Sequence, residues 1–217
     1  MIKHILFDCD GVLIDTEIVA AEVVSGWLNS EGVDINIETF ITEYTGKTFS
    51  DILQLIKDQG QLAPDLEVRE SVKYMDEAIR SNMRPIQGVE SMLANIPVTS
   101  SMVSNSAKDY VLEAIELLKA QSIFEERVFS AEMVAKGKPD PGVYLLALEA
   151  LGLSKNEVLV IEDSSAGVAA SVAAGLRTVG FLGGSHVRYG HGDKLLKLGA
   201  AELVNDHEEL KSYLNTL

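Results

Sequence analysis

The chain has one cysteine, 18 lysines and arginines against 33 aspartates and glutamates, and no long apolar run. Each shortage closes off a class of protein. With Cys9 alone there is no internal disulfide, and its place at the end of a short apolar run reads as a small buried hydrophobe. A reducing, cytoplasmic setting is the default expectation. The net charge of −15 argues against nucleic acid or an anionic membrane as a partner, since both require clustered Lys and Arg. The apolar run after Lys3 and His4 is too short for a secretory signal, and no stretch approaches the ~20 apolar residues of a membrane span. Internal repeats, low-complexity tracts and Gly/Ser linkers are also missing. What remains is 217 residues, 47% of them hydrophobic, enough for one sizeable core and a small second lobe. A monomer or weak homodimer is expected.

The most informative residues come at once: Asp8-Cys9-Asp10-Gly11 directly follows Ile5-Leu6-Phe7. Side chains alternate along a strand, so Asp8 and Asp10 leave on one side, Cys9 turns away and Gly11 lets the backbone bend. Two like charges this close need a cation, a proton or a chemical task. Alone, the pattern is also that of a strand end with an Asx turn.

Three further signals follow in order, each at a predicted strand end or in the loop beyond it. They are Val103-Ser104-Asn105, Gly137-Lys138-Pro139-Asp140-Pro141, and Glu162-Asp163-Ser164 with Ser165-Ala166-Gly167 behind it. With DxDG, a hydroxyl residue, a lysine and an acidic pair in that order over the whole chain, the sequence resembles the haloacid dehalogenase superfamily. The resemblance implies a phosphatase or phosphomutase acting on a small phosphate ester. Singly, Ser104 is a strand-end turn former and Lys138 a solvated loop lysine; the shared order argues otherwise.

The chemistry fits the residues. Phosphoryl transfer to an anionic nucleophile needs positive charge and in-line positioning. Asp8, at the strand tip, is the candidate nucleophile, giving an aspartyl-phosphate. Asp10 is the candidate general acid and base. Ser104, Asn105 and Lys138 would bind the phosphoryl group, Lys138 also neutralising the nucleophile. Hard carboxylate oxygens suit Mg²⁺, with Asp8 and Asp163 as first choices. The resemblance adds the carbonyl of Asp10 and the side chain of Glu162 as further ligands.

From about Val98 onward, apolar strands alternate with amphipathic helices, predicting an α/β fold with a doubly wound, Rossmann-like parallel sheet. Ligands then sit beyond the carboxyl ends of the strands, where Asp8, Ser104 and Asp163 fall. Asp140 before Pro141 reads as a helix N-cap that holds the lysine loop. Residues 16–85 show helical periodicity without a convincing strand, predicting an all-helical cap inserted into a core of residues 1–15 and 86–217. Val19, Val23, Val24, Trp27 and Leu28 are its first packed face, with later helices near 49–59 and 66–81. Short crossings at 12–16 and 83–88 would be its hinges. Within the cap, Gly46-Lys47-Thr48 is the segment assigned to substrate, with a solvated Lys47 beside a helix N-cap carrying equal weight. Between Phe181 and Gly192 a glycine-rich loop near the active face carries His186, read as a surface histidine in preference to one that shapes the pocket. His4 and His207 read as ordinary.

Asp10 serves phosphoryl leaving groups and counts against a dehalogenase. Sugar phosphomutases of the resembled family carry a histidine five positions after the aspartate matching Asp15; here it is Ala20. Hydrolysis is therefore favoured over a β-phosphoglucomutase-type reaction, and the subgroup resembled most is that of sugar-phosphate phosphatases, 6-phosphogluconate phosphatases among them. A phosphoacceptor signalling domain is a remote rival: there the acidic pair precedes the acceptor strand and no helical insertion occurs.

Overall fold

The computed structural model describes residues 1–44, 49–63, 68–125 and 127–217. The chain divides into two compact units, Met1–Asp15 with Pro85–Leu217, and Thr16–Arg84.

The larger unit is built on a six-stranded parallel sheet of β1 (His4–Phe7), β2 (Thr99–Ser104), β3 (Val128–Ser130), β4 (Val158–Glu162), β5 (Arg177–Phe181) and β6 (Glu202–Val204). Their spatial order is β3-β2-β1-β4-β5-β6. Every residue of β1 and β4 is buried, as expected for central parallel strands covered on both faces. Order reverses between β1 and β4, so the crevice outside their carboxyl ends is the switch point where such sheets bind ligands. Phe7 aligns with Met102 and Ile161 on the neighbouring strands, which carries Asp8, Ser104 and Glu162 to the same edge. This is the doubly wound core that the alternating sequence pattern predicts.

In chain order the helices are α1 (Thr16–Ser30), α2 (Ile37–Tyr44), α3 (Phe49–Asp58) and α4 (Val68–Ser81), then α5 (Val89–Leu93), α6 (Lys108–Leu117) and α7 (Gln121–Phe124). They continue with α8 (Gly142–Leu151), α9 (Ser165–Ala173), α10 (His191–Lys197) and α11 (His207–Leu214). Among the described residues of the smaller unit, α1 to α4 are the regular structure. Its core gathers Val24, Leu28, Phe40, Ile52, Leu53, Ile56 and Met75, with Val23 and Trp27 half-buried against it. None of the described helices is long and apolar enough to cross a membrane.

Sequence periodicity misses α2, α5, α7 and α10. All are short, and α10 starts inside the stretch read as glycine-rich loop, just after the left-handed Gly190. At α8, the side chain of Asp140 accepts the N–H of Gly142 at 2.9 Å, but Pro141 and not Asp140 stands at the N-cap, so the helix starts one residue later than the sequence reading placed it.

His4 and His207 are not ordinary. Both are buried, and burial lowers each pKa to about 4. His4 bonds Ser101 at 2.8 Å, whereas His207 stacks on Phe181 at 4.6 Å and neither of its ring nitrogens has a hydrogen-bond partner among the described residues. Both folded pKa values lie below the unfolded value of 6.5, so between about 4 and 6.5 the unfolded chain binds more protons. The stabilisation from neutral rings is complete above 6.5 and is lost as the pH falls through that window. Urea melts across it should show stability falling with acidity. His207→Leu should reduce the slope by up to one proton's share, about 1.4 kcal/mol per pH unit. An unchanged slope would mean that His207 keeps its proton affinity on folding.

Candidate active site: a buried lysine among three carboxylates

Asp8 extends β1 by one residue, its N–H donating to Ile161 at 3.0 Å, and its side chain is buried at the switch point. Lys138 reaches it across the sheet end. The Lys138 ammonium donates to Asp8 Oδ1 at 2.8 Å, to Glu162 Oε1 at 2.7 Å and to the Val103 carbonyl at 2.7 Å, which uses all three of its protons. Its nitrogen also lies 5.2 Å from the centre of the Tyr144 ring. The solvated loop lysine is thereby excluded.

Side chains of the same loops hold this lysine in place. Asn105 grips its backbone twice, Nδ2 donating to the Lys138 carbonyl at 3.0 Å and Oδ1 accepting the Lys138 N–H at 2.8 Å. A side chain at Gly137 would press within 2.6 Å of that Asn105 oxygen, so the glycine of the GKPDP motif permits the grip. The Asn105 side chain, in the residue expected from sequence to bind phosphate, positions the lysine loop.

Glu162 is fully buried, and both its oxygens are occupied. Oε1 accepts from Lys138 and from the Tyr144 hydroxyl at 2.9 Å, and Oε2 accepts from the Ser164 N–H at 3.1 Å and the Ser164 hydroxyl at 3.0 Å. Ser164 also caps α9, its Oγ accepting from the Gly167 N–H at 2.9 Å. A Cβ at Gly167 would overlap the Glu162 carboxylate, which explains the glycine of the EDSSAG segment. Gly11, at φ 77°, plays the same part for Asp163, whose carboxylate a Cβ there would overlap.

Carboxylate oxygens of Asp8, Glu162 and Asp163 lie within 4.8 Å of one another. Burial first, then the nearby Glu162 charge, push the Asp8 carboxyl well above the usual range, against the pull of Lys138. For Lys138 burial favours the neutral amine, but Asp8 and Glu162 outweigh it and hold the ammonium protonated. Three carboxylates against one ammonium leave an excess of negative charge that a divalent cation with oxygen-loving chemistry fits. Cys9, between the two aspartates, is fully buried and its thiol is pushed up in pKa by burial and by Asp10.

Asp10 is half-buried, and the Ser106 hydroxyl donates to its Oδ2 at 2.6 Å. Ser104 is buried and its Oγ accepts the Ser106 N–H at 3.0 Å, while Ser130 donates to the Ser106 carbonyl at 2.8 Å. Sequence reading passes over Ser106, although a second hydroxyl two positions beyond Ser104 is a legible signal. It also passes over Tyr144, which sits in an apolar helix. His186 is corrected: the ring is buried, with Nε2 3.2 Å from Asp163 Oδ2. The segment Gly46-Lys47-Thr48 lies outside the described residues.

The doubly wound, Rossmann-like sheet thus gathers a lysine and three carboxylates at its switch point. The chain belongs to the haloacid dehalogenase-like hydrolases, whose family profile matches residues 5–181. It is similar to the phosphorylated carbohydrates phosphatase of Thermotoga maritima, 28% identical over 221 residues and 96% of each chain. Against the 6-phosphogluconate phosphatase of Escherichia coli it is 23% identical over 188 residues and 85% of each. Among solved structures, a haloacid dehalogenase family hydrolase of Deinococcus radiodurans with bound phosphate and sodium superposes with a TM-score of 0.86 at 27% identity. That match covers 99% of this chain and 96% of the other.

Tyr144→Phe keeps the ring beneath Lys138 but removes the hydroxyl from buried Glu162. Loss of one bond to a buried charge should cost about 1.5–3 kcal/mol in a denaturant melt. An unchanged midpoint would show that Lys138 and Ser164 alone satisfy Glu162.

Proposed function

We propose that this chain is a Mg²⁺-dependent phosphatase that hydrolyses a small sugar or sugar-acid phosphate through an aspartyl-phosphate intermediate on Asp8. The carrying observation is the bond of Lys138 to both Asp8 and Glu162 at the switch point. A buried ammonium there offsets negative charge on the nucleophile and on the incoming phosphoryl group together. Asp8 Oδ1 is held in line by that bond, and its attack at phosphorus forms the P–O bond as the ester oxygen departs.

Asp10, fixed by the Ser106 hydroxyl, protonates the departing alkoxide and then takes the proton from the water that attacks the aspartyl-phosphate. Ser104, with its Oγ already turned by the Ser106 N–H, donates its hydroxyl proton to a phosphoryl oxygen. Asp8, Asp163 and the Asp10 carbonyl would hold the cation, and Glu162, saturated by donors, would support it from behind. The bound Mg²⁺ would supply Lewis-acid stabilisation of the phosphoryl oxygens. The helical unit 16–84 is proposed as a cap that excludes water, with Lys47 as its anion-binding group on the strength of sequence.

The relatives named as phosphatases of carbohydrate phosphates support this substrate class. Hydrolysis rather than phosphomutase action is supported by Ala20, which lies buried against Val19 and Ile79 and offers no acid or base.

Inorganic phosphate release from a panel of sugar, sugar-acid and nucleotide monophosphates, with Mg²⁺ or with EDTA, tests the reading. Turnover should require the cation, and Asp8→Asn should lower it by about 10³-fold or more while leaving the melt intact. An active Asp8→Asn protein would sink the assignment. Conversion of a hexose 1-phosphate to its 6-phosphate without phosphate release would replace it by the mutase.

A further inference from the structure

We propose that His186 and His191 form a two-point clamp that positions Asp163 for cation binding, making the segment from the end of β5 to the first residue of α10 part of the metal site. This rests on the reading of Asp163 as a metal ligand. The clamp holds the same residue at both of its oxygen-bearing groups. His186 Nε2 lies 3.2 Å from Asp163 Oδ2, and His191 Nε2 lies 2.6 Å from the Asp163 backbone carbonyl. A carbonyl only accepts, so His191 Nε2 carries the proton and donates it. One hook sets the carboxylate and the other sets the peptide from which it projects. The two rings meet edge to face, 5.8 Å apart at 86°, so each limits the movement of the other.

The surroundings are shaped for this clamp. A Cβ at Gly184 would come within 2.8 Å of the His186 ring, and one at Gly11 within 3.1 Å of it, so two glycines from separate loops leave a slot that the imidazole fills. The loop that delivers the ring is itself tied down. Ser185 donates its N–H to Asp15 Oδ1 at 3.1 Å and its hydroxyl to Asp15 Oδ2; Leu182 donates to the Val204 carbonyl at 2.8 Å. Arg188 donates to the Ser185 carbonyl at 2.8 Å, closing the turn between the two histidines. An unconstrained surface loop would have no reason to tether the residue before a buried imidazole. Groups that donate to a ligating carboxylate fix its rotamer and lower the cost of organising the site when the cation arrives.

Neither histidine takes or gives a substrate proton in this scheme; both are positioning residues, and the test reads cation affinity directly. Chelator-stripped protein is titrated with Mn²⁺ and free Mn²⁺ is counted by its solution EPR signal. Circular dichroism melts check that each variant folds. His186→Ala and His191→Ala should each weaken Mn²⁺ binding by about 10–100-fold. His186→Gln, whose amide nitrogen falls where Nε2 lay, should recover most of the loss, and if His186→Ala does not fold, His186→Gln and His191→Ala carry the test. Wild-type affinity in folded His186→Ala and His191→Ala would overturn the clamp, as would equal losses in the Ala and Gln variants of His186. Nitrogen coupling to bound Mn²⁺ from His186 would also overturn it, by making His186 a direct ligand. A wild-type protein that binds no Mn²⁺ sinks the metal reading and the clamp together, whereas a binding wild type with unaffected variants sinks the clamp alone.

Discussion

The ammonium of Lys138, buried between Asp8 and Glu162, is the interaction on which the rest of the site depends. An isolated ammonium in that position would be expelled or deprotonated, because removing it from water costs several kcal/mol. It is tolerated because all three of its protons find acceptors and two of those acceptors are charged. Each acceptor belongs to a different strand end: Asp8 to β1, Val103 to β2 and Glu162 to β4. The lysine therefore ties together the carboxyl edges of the three central strands. Break it, and two buried carboxylates face one another without compensation.

Much of the surrounding sequence follows from seating that charge. Asn105 grips the lysine backbone, Gly137 lets it approach, Asp140 starts α8, and Tyr144 from the same helix returns to Glu162. Ser164 bonds Glu162 and caps α9 with a single hydroxyl, so the acidic pair and the following helix are fixed by one residue. Gly11 and Gly167 contribute by what they lack, since any side chain at either would overlap a carboxylate of the acidic pair. These short motifs are the contacts of one charge cluster, written out along the chain.

That explains which parts were legible in the sequence. Asp8, Asp10, Ser104, Glu162 and Asp163 stand at or just past strand ends, where polar residues after an apolar run have no packing reason to be, Lys138 stands in the GKPDP loop beyond β3, and the strand-helix alternation names the sheet that aligns them. Tyr144 was hidden because a tyrosine in an apolar helix satisfies the helical pattern whether or not its hydroxyl has a partner. The grip of Asn105 on the lysine loop was not legible, since spacing cannot show that a backbone 33 residues away lies within 3.0 Å. His186 looked like a loop residue because its burial comes from a slot whose other wall is Gly11. The helices α2, α5, α7 and α10 were missed for a simpler reason: none exceeds eight residues, little more than two turns, which shows hardly any period.

The charge balance carries a last consequence for Asp8. Lys138 favours its ionised form, but burial and the Glu162 charge oppose this more strongly. Glu162 thus has two effects that pull apart: it anchors the lysine that Asp8 needs, and its own charge discourages Asp8 from ionising. Tyr144 and Ser164 soften the second effect by spreading the Glu162 charge over three hydroxyl and amide donors. They do not remove it. Positive charge placed against Asp8 and Asp163 would tip the balance, so a divalent cation held by the acidic cluster would reinforce Lys138 in favouring the carboxylate form of Asp8.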